Sequence, residues 1–313
     1  MQSPVVSLHH VTATADDAQS DLDCYEDVFG LRLVKQTVNF DNHNVFHFYY
    51  GDERGTPGTI WTTFPYRGHG VRIGTKGAGQ ITATTFSVPA GSLDGWRSRL
   101  GAAGYAPLNL PDRFGDEAIA VADPSGLVIE LVADARDART PWIAPSLDVA
   151  SAVRGIHSVT MTIRSPAATI AFMREQLGYE VIAEEDDRTR LGVGGDTPGH
   201  LIDLIAAPDA VQAVNGLGTV HHVAMAVPTE EDQLRLRERL LGAGARVTDV
   251  LDRQYFKSIY FREPGGVLFE VATMGPGFAT DESVGQLGQA LKLPPWEERH
   301  RAAIEAGLPR IRR

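Results

Sequence analysis

Two stretches of the chain, LHHVTAT (residues 8–14) and VHHVAMAV (residues 220–227), place a pair of histidines in the same apolar, alternating context. Only 10 of the 313 residues are histidine, so two matching pairs indicate a repeated structural unit. Alternation of this kind is typical of a β-strand with one buried face. Glu270 lies in a third such stretch, GGVLFEVAT (265–273). Two histidines and one carboxylate form a ligand set for iron(II) or a similar divalent ion with open coordination positions.

The composition limits the class of protein. With 43% hydrophobic and 22% charged residues over 313 positions, the chain is typical of a globular protein large enough for two domains. Its formal net charge of -11 argues against nucleic acid or an anionic membrane surface as a partner, because both select basic patches. A small molecule is the expected partner.

The single cysteine and the hydropathy pattern bear on the location. Cys24 cannot form an internal disulfide, and its isolation excludes a zinc site built from several cysteines. The N-terminus lacks a basic region followed by an apolar run, and no window approaches roughly 18 consecutive apolar residues. These features predict a cytoplasmic protein that does not enter the membrane.

Four segments of the chain share one order of elements: an alternating strand, an amphipathic helix stopped by glycine, and further strands. The opening strands are LHHVTAT, QITATTFSV (80–88), GIHSVTMTI (155–163) and VHHVAMAV. Alignment on their alternation gives four equivalent positions, His10, Ala83, Ser158 and His222. A glycine follows each position after 20, 21, 20 and 22 residues, at Gly30, Gly104, Gly178 and Gly244. Glycine is the usual left-handed residue just past a helix.

Each segment closes with a turn built on proline and glycine, followed by a last strand: TPGTIWTTF (56–64), DPSGLVIELV (123–132), TPGHLIDLI (197–205) and EPGGVLFEVA (263–272). We therefore predict an α+β chain of four β-α-β-β-β modules. Charges and prolines interrupt the periodicity at residues 133–151. The predicted domains are residues 1–140, with modules one and two, and residues 150–313, with modules three and four and a partly helical tail.

This organisation resembles the vicinal oxygen chelate superfamily, which includes glyoxalases, bleomycin resistance proteins and extradiol dioxygenases, over roughly residues 7–275. Several stretches are most similar to ring-cleaving dioxygenases that open hydroquinones, including chlorinated ones: SLHHVT, GTPGTIWTTFP, DRFG, RQYFKSIYFREPGGVLFE and GFATDE. The resemblance implies two curved mixed sheets and a divalent metal. It also implies a reaction that inserts both atoms of O2 into a hydroquinone-type or catecholic aromatic diol.

Comparison of the modules reduces the number of residues that could be metal ligands. Modules two and three lack the histidine, although module two keeps Glu130 at the place of Glu270. Module one offers only Thr62 and Thr63 at the closing position. We therefore expect one site shared by modules one and four, which requires these two modules to pair in space, and modules two and three likewise. The residues alone do not decide which histidine of each pair is a ligand, because neighbours on a strand point to opposite faces.

The resemblance places the ligands at the second histidine of each pair, so the expected set is His10, His222 and Glu270. Iron(II) is the expected cofactor, and manganese(II) is the alternative because such a site discriminates weakly between them. The reaction needs an acid or base near the substrate oxygen. His221 is the first candidate for this role and His9 the second.

Three further residues are candidates for the site. By the same resemblance, Tyr260 is expected to donate a hydrogen bond to a bound phenolate, and Arg253 to stabilise negative charge. Thr12 lies two residues after His10, on the same strand face, and is a candidate for substrate binding. His47 in NVFHFYY is expected to be a structural strand histidine.

Two other functions stay open. A glyoxalase-type metal-dependent isomerase or lyase generally uses four ligands, so the threonines of module one argue against it. A non-enzymatic small-molecule binding protein has no evident need for three metal-binding side chains. The oligomeric state is also open, with a homo-oligomer as one alternative, and the sequence does not define the ring substituents of the substrate.

Overall fold

The computed structural model describes residues 3–312, and its elements follow the four-module order. Module one contains β1 (Ser7–Ala15), α1 (Ala18–Leu22), β2 (Arg32–Asn39), β3 (Asn42–Gly51) and β4 (Ile60–Pro65). Module two contains β5 (Gln80–Val88), α2 (Leu93–Ala102), β6 (Leu108–Asn109), β7 (Ala118–Ala122) and β8 (Val128–Ala133). Module three contains β9 (Gly155–Ile163), α3 (Pro166–Phe172), β10 (Tyr179–Glu185), β11 (Arg188–Val193) and β12 (Leu201–Ala206). Module four contains β13 (Thr219–Val227), α4 (Glu230–Gly242), β14 (Leu251–Asp252), β15 (Lys257–Arg262) and β16 (Leu268–Thr273).

The strands form two mixed sheets of eight strands each. The first has the order β14-β15-β16-β13-β1-β4-β3-β2 and joins module four to module one. The second has the order β10-β11-β12-β9-β5-β8-β7-β6 and joins module three to module two. In both sheets the two modules meet through an antiparallel pair of opening strands, while the opening and closing strands of each module run parallel. The predicted α+β architecture is therefore confirmed, and each sheet combines modules from both sides of residues 140–150.

The helices end as the glycine spacing predicts. In modules one and three the α-helix continues into a π-helical turn, at Asp23–Val28 and Met173–Leu177. The four glycines past the helices have φ angles of 66°, 85°, 75° and 84° at Gly30, Gly104, Gly178 and Gly244. These left-handed angles are open to glycine at little cost, and they turn the chain back towards its sheet.

Aromatic side chains join the two sheets in one core. Phe86 of β5 lies with its ring centroid 6.2 Å from that of Trp61 on β4 and 6.3 Å from that of Phe29. Phe29 also stacks on Trp96 of α2 at 6.1 Å. All four side chains are buried, so modules one and two share apolar packing although they belong to different sheets.

The segment after module four packs along the outer strands of the first sheet. It contains short 3-10 turns at Phe278–Thr280, Val284–Gln286 and Glu298–His300, followed by α5 (Arg301–Gly307). The backbone amide of Lys292 donates to the carbonyl of Gln36 on β2 at 2.9 Å. No helix among residues 3–312 is long and apolar enough to cross a membrane.

Candidate metal centre and its cavity

Three side chains from adjacent strands meet in the middle of the first sheet. His10 lies on β1, His222 on β13 and Glu270 on β16, and all three are buried. The two Nε2 atoms are 3.2 Å apart, and Glu270 Oε2 lies 3.2 Å from His10 Nε2 and 2.8 Å from His222 Nε2. These atoms form a possible metal site. The fold thus brings together two histidines that are 212 residues apart in the chain.

A β-bulge at the first histidine of each pair sets the direction of both rings. In the pairing of β1 with β13 the register shifts at His9 and again at His221. His9 Nδ1 consequently lies 2.9 Å from His10 Nδ1, and His221 Nδ1 lies 2.8 Å from His222 Nδ1. Neighbours on a regular strand point to opposite faces, whereas at these bulges the ring of the first histidine lies against the ring of the second.

The hydrogen bonds behind His10 orient its lone pair. The His9 ring is neutral, since burial and the adjacent His10 ring lower its pKa to about 3. A neutral imidazole carries a single ring proton. With that proton on Nε2, His9 offers Nδ1 as an acceptor to the Nδ1–H of His10. With its proton on Nδ1, His10 carries its lone pair on Nε2, which faces Glu270.

Glu270 is ionised at the bottom of the site. Burial raises the pKa of its carboxyl, but the neighbouring His10 and His222 outweigh that effect and hold the pKa well below its usual range. Ser258 donates a short hydrogen bond to Oε1. Oε2 is buried without a hydrogen-bond donor of normal geometry in the described part of the chain. One carboxylate oxygen is therefore held in place, while the other faces the imidazoles.

The donor set fits a divalent cation. Metal bonds of about 2.1 Å at right angles place neighbouring donor atoms about 3.0 Å apart. The separations among His10, His222 and Glu270 are 2.8 to 3.2 Å. Nitrogen and carboxylate ligands of this kind are used for non-haem iron and related divalent ions. The three atoms lie on one side of the site, so the opposite side is open.

A cavity of about 310 Å³ opens on these three side chains. Its walls combine aromatic and polar groups, namely Thr12, Asn39, Phe40, Asp41, His47, Tyr49, Phe64, Tyr66, His221, Arg253, Phe256, Tyr260 and Leu268. Four of the five expected residues around the metal ligands line it: His221, Tyr260, Arg253 and Thr12. The fifth, His9, contacts His10 from behind, and the ring of Phe256 packs against both of them.

His221 contributes an imidazole to the cavity wall. Burial and the adjacent His222 lower its pKa to about 3, so the ring is neutral. Its Nδ1 atom is engaged with His222, and Nε2 is the atom left for a ligand. The edge of the ring faces Phe64, with 6.4 Å between the ring centroids.

Tyr260 and Arg253 form the wall beside Glu270. Tyr260 lies opposite Glu270 in the pairing of β15 with β16. The guanidinium of Arg253 lies 5.5 Å from the centroid of the Tyr260 ring, and its Nη2 is 3.2 Å from Asp41 Oδ2. Burial raises the pKa of Tyr260, and the carboxylate of Glu270 adds to this effect, so the hydroxyl keeps its proton.

His47, which was expected to be a structural strand histidine, also lines the cavity. Its Nε2 lies 2.9 Å from Thr62 Oγ1, and its ring packs on Tyr49 at 3.9 Å. A signal was present in the sequence, because His47 and Tyr49 are two residues apart and share one face of β3. Tyr49 lies opposite Thr62 as Tyr260 lies opposite Glu270, which places that face on the cavity.

The second sheet holds arginines where the first holds the possible metal site. Glu130 and Asp203 occupy the closing-strand positions that match Glu270 and Thr62. Arg113 forms a bidentate pair with Glu130, and Arg190 forms one with Asp203, at 2.8 and 3.1 Å. All four side chains are buried. Guanidinium groups therefore neutralise the carboxylates of modules two and three.

The fold and this site define the class of protein. The chain belongs to the Glyoxalase/Bleomycin resistance protein/Dioxygenase superfamily, whose sequence profile matches residues 7–131 and 155–271. Glyoxalase I from Zea mays has the same fold, with a TM-score of 0.64 and 15% identity over 86% of this chain and 92% of that chain. The predicted superfamily is confirmed.

Within the superfamily, the chain is similar to ring-cleaving dioxygenases. It is 42% identical over 304 residues to MhqE of Bacillus subtilis (strain 168), a proposed ring-cleaving dioxygenase, covering 97% of this chain and 98% of MhqE. It is 35% identical to the chlorohydroquinone/hydroquinone 1,2-dioxygenase of Sphingobium indicum, over 94% of each protein. The crystal structure of a proposed dioxygenase from Bacillus subtilis superposes with a TM-score of 0.94, at 39% identity, over 100% of this chain and 99% of that one.

Proposed function

We propose that the chain is an iron(II)-dependent, extradiol-type dioxygenase that inserts both atoms of O2 into a hydroquinone-type aromatic diol and opens its ring. The observation that carries the proposal is the convergence of His10 Nε2, His222 Nε2 and Glu270 Oε2 within 3.2 Å of one another beside an aromatic-walled cavity. The names of the relatives support the same activity, since they include ring-cleaving and hydroquinone dioxygenases.

His10, His222 and Glu270 would hold the metal. Two neutral imidazoles and one carboxylate leave a divalent ion with a net positive charge and with positions open for substrate and O2. When bound, iron(II) supplies the electron transfer that lets triplet O2 react with a closed-shell aromatic ring. Manganese(II) is the alternative ion, because this ligand set discriminates weakly between the two.

His221 is the proposed acid and base. For His222 to offer Nε2 to a metal, its proton must reside on Nδ1, where it is donated to Nδ1 of His221. His221 then holds its own proton on Nε2, and it can give this proton to a substrate oxygen in the cavity as its Nδ1 takes up the proton of His222; the reverse relay lets it act as a base. His9 makes the same contact with His10 but does not line the cavity, so we assign it a positioning role.

Tyr260, Arg253 and Thr12 complete the proposed site. Tyr260 retains its hydroxyl proton and donates it as a hydrogen bond to a substrate phenolate. The guanidinium of Arg253, held by Asp41, stabilises negative charge that develops on the substrate. The hydroxyl of Thr12 lies on the cavity side of β1 and contacts the substrate from that strand.

Thr62 distinguishes this proposal from a glyoxalase-type isomerase or lyase with four metal ligands. It stands at the position that Glu270 occupies in module four, and a hydroxyl replaces the carboxylate. The hydroxyl of Thr62 is already hydrogen-bonded to Thr12 and to His47, at 2.9 Å each. Three protein ligands leave room for two exchangeable ones, as a dioxygenase requires.

Oxygen uptake by anaerobically purified, iron(II)-loaded protein tests the proposal. The substrates are hydroquinone, methylhydroquinone, chlorinated hydroquinones and catechol, and ring-opened products are followed by absorbance. Uptake that matches product formation mole for mole is the expected result. Protein that contains iron but consumes no O2 with any diol would contradict the proposal. Turnover of a thiol adduct by that protein would support the isomerase function instead.

A further inference from the structure

A chain of three buried side chains runs along one wall of the cavity. His47 Nε2 lies 2.9 Å from Thr62 Oγ1, and Thr62 Oγ1 donates to Thr12 Oγ1, also at 2.9 Å. His47 is 9% exposed, Thr62 is fully buried and Thr12 is 1% exposed. None of the three is among the proposed metal ligands. The chain fixes the orientation of His47, whose ring is packed between Tyr49 and Phe64.

The positions of the protons on Thr62 and His47 determine which ring nitrogen of His47 can accept a hydrogen bond from a ligand. A threonine hydroxyl has one proton, and Thr62 gives that proton to Thr12. His47 must therefore donate its Nε2–H to Thr62. Burial lowers the pKa of His47 well below its usual range, so the ring is neutral and carries one proton only. Its Nδ1 atom is left as an acceptor, and no described residue donates a hydrogen bond to it.

His47 approaches the cavity from a different strand than His10 does. It lies on β3, and β4 stands between β3 and β1, which carries His10. Two strand spacings correspond to about 10 Å across the sheet. His47 and His10 nevertheless line the same cavity. The backbones of the two residues are thus far enough apart for an aromatic ring to lie between them, so His47 Nδ1 is available to a substrate oxygen that is not beside His10.

We infer that His47 Nδ1 accepts a hydrogen bond from the distal hydroxyl of a 1,4-dihydroxybenzene and thereby selects hydroquinones over catechols. This inference rests on the proposed dioxygenase function. A 1,4-diol that binds the metal through one oxygen presents its second O–H across the ring. A 1,2-diol has both oxygens at the metal end and leaves Nδ1 without a donor. His47 is thus a specificity residue, and Thr62 and Thr12 position it.

Binding to anaerobic, zinc-loaded protein tests the inference without turnover. Calorimetry compares hydroquinone with 4-methoxyphenol, which lacks the distal O–H donor. Hydroquinone is expected to bind the wild type about tenfold more tightly, in line with one buried hydrogen bond. His47→Phe keeps an aromatic ring between Tyr49 and Phe64 and is expected to bring this ratio close to one. His43→Phe, on the exposed end of the same strand, is the matched control and is expected to keep the wild-type ratio.

A second pair of variants tests the inference even if His47→Phe does not fold. Thr62→Val removes the acceptor of the Nε2 proton and is expected to lower the ratio, whereas Thr62→Ser retains the hydroxyl and the ratio. Nitrogen-15 resonances of metal-free protein report the proton on Nε2 of His47 in the wild type, and a mixture of the two neutral forms in Thr62→Val.

Four results would overturn the inference. An unchanged ratio in His47→Phe or in Thr62→Val removes the role of the Nδ1 acceptor, and equal weakening of both ligands shows a structural role only. Cleavage of catechol without cleavage of hydroquinone by the wild type refutes the specificity while the dioxygenase function stands. No O2-dependent product from any diol refutes both together.

Discussion

Thr62 and Glu270 occupy the same position in their respective modules, yet one side chain is a hydroxyl and the other a carboxylate. Thr62 lies opposite Thr12 in the pairing of β4 with β1, and Glu270 lies opposite Ala224 in the pairing of β16 with β13. The two halves of the first sheet are thus related by their backbone and differ in their chemistry. One half supplies a carboxylate to the possible metal site, and the other supplies a neutral hydroxyl.

Replacement of either histidine ligand should abolish metal binding to the same extent. His10→Ala and His222→Ala each remove one of three donors, and the affinity for iron(II) is expected to fall by more than the 10- to 100-fold typical of losses around the ligands. Metal content after dialysis checks this for both variants. His157→Gln, in the equivalent strand of module three, is the control. Full metal retention in His10→Ala would refute a site shared by modules one and four.

The contact behind His10 should matter for metal affinity. His9→Phe removes the Nδ1 acceptor that orients the His10 proton, so the affinity for iron(II) is expected to fall about 10- to 100-fold. His9→Asn keeps a side-chain acceptor and is expected to lose less. Metal titration of both variants measures the difference. If the two variants bind metal equally well, His9 does not orient His10.

Tyr260→Phe should separate catalysis from binding of the metal. The variant loses the hydroxyl that we propose as a donor to the substrate phenolate, and kcat is expected to fall about 100-fold, as for the loss of one donor to developing charge. Iron content should stay at the wild-type level, because Tyr260 is not among the proposed ligands. Steady-state oxygen uptake together with metal analysis gives both values. Wild-type kcat in this variant would exclude the donor role.

A buried carboxyl outside the cavity should make stability depend on pH. Burial raises the pKa of Asp21 to about 7, against the hydrogen bonds from Thr63 and Tyr50. The unfolded chain has a value of about 3.9 for aspartate. Between these values the folded state binds more protons, so the contribution of Asp21 to stability is complete below about pH 4 and is lost as the pH rises towards 7.

Asp21→Asn removes this dependence. The free energy of unfolding of the variant, relative to the wild type, is expected to rise between pH 4 and 7 by up to about 4 kcal/mol, at about 1.4 kcal/mol for each pKa unit. Urea unfolding of both metal-free proteins over this range measures the difference. A constant difference would show that Asp21 is ionised in the folded protein throughout.

The arginine cluster of the second sheet should contribute strongly to stability. Arg190 is 2% exposed and contacts Asp203 and, at 2.6 Å, Asp116. Arg190→Met leaves buried carboxylates without this partner and is expected to lower the free energy of unfolding by about 3–5 kcal/mol. Arg174→Met, at an exposed ion pair with Glu180, is expected to cost less than about 1 kcal/mol. Equal effects in denaturant titrations would show that the cluster is no stronger than a surface pair.

The modules could be predicted from the sequence because their signals are local. Each opening strand has its own alternation, and each helix is stopped by a glycine that proved to have a positive φ angle. The equivalence of His10 and His222 followed from that spacing. The proximity of these two residues to Glu270 depended only on the pairing of modules one and four.

Two features of the site could not be derived from local patterns. The bulges at His9 and His221 arise from the register between β1 and β13, which lie far apart in the chain. The role that we infer for His47 depends on its contact with Thr62, and hence on the register of β3 with β4. In both cases, strand alternation gave a side-chain direction that only the neighbouring strand could correct or complete.

The pairing of β1 with β13 also affects how the protein is made. Pairing of segments so distant in sequence is slow, because a long loop must close before its contacts form. His10 is made first, and its partners are added only when residues 222 and 270 have been translated. The three donor atoms can therefore meet only after the last strand of module four has been made. A chain whose synthesis stops before module four lacks His222 and Glu270 and cannot form this site.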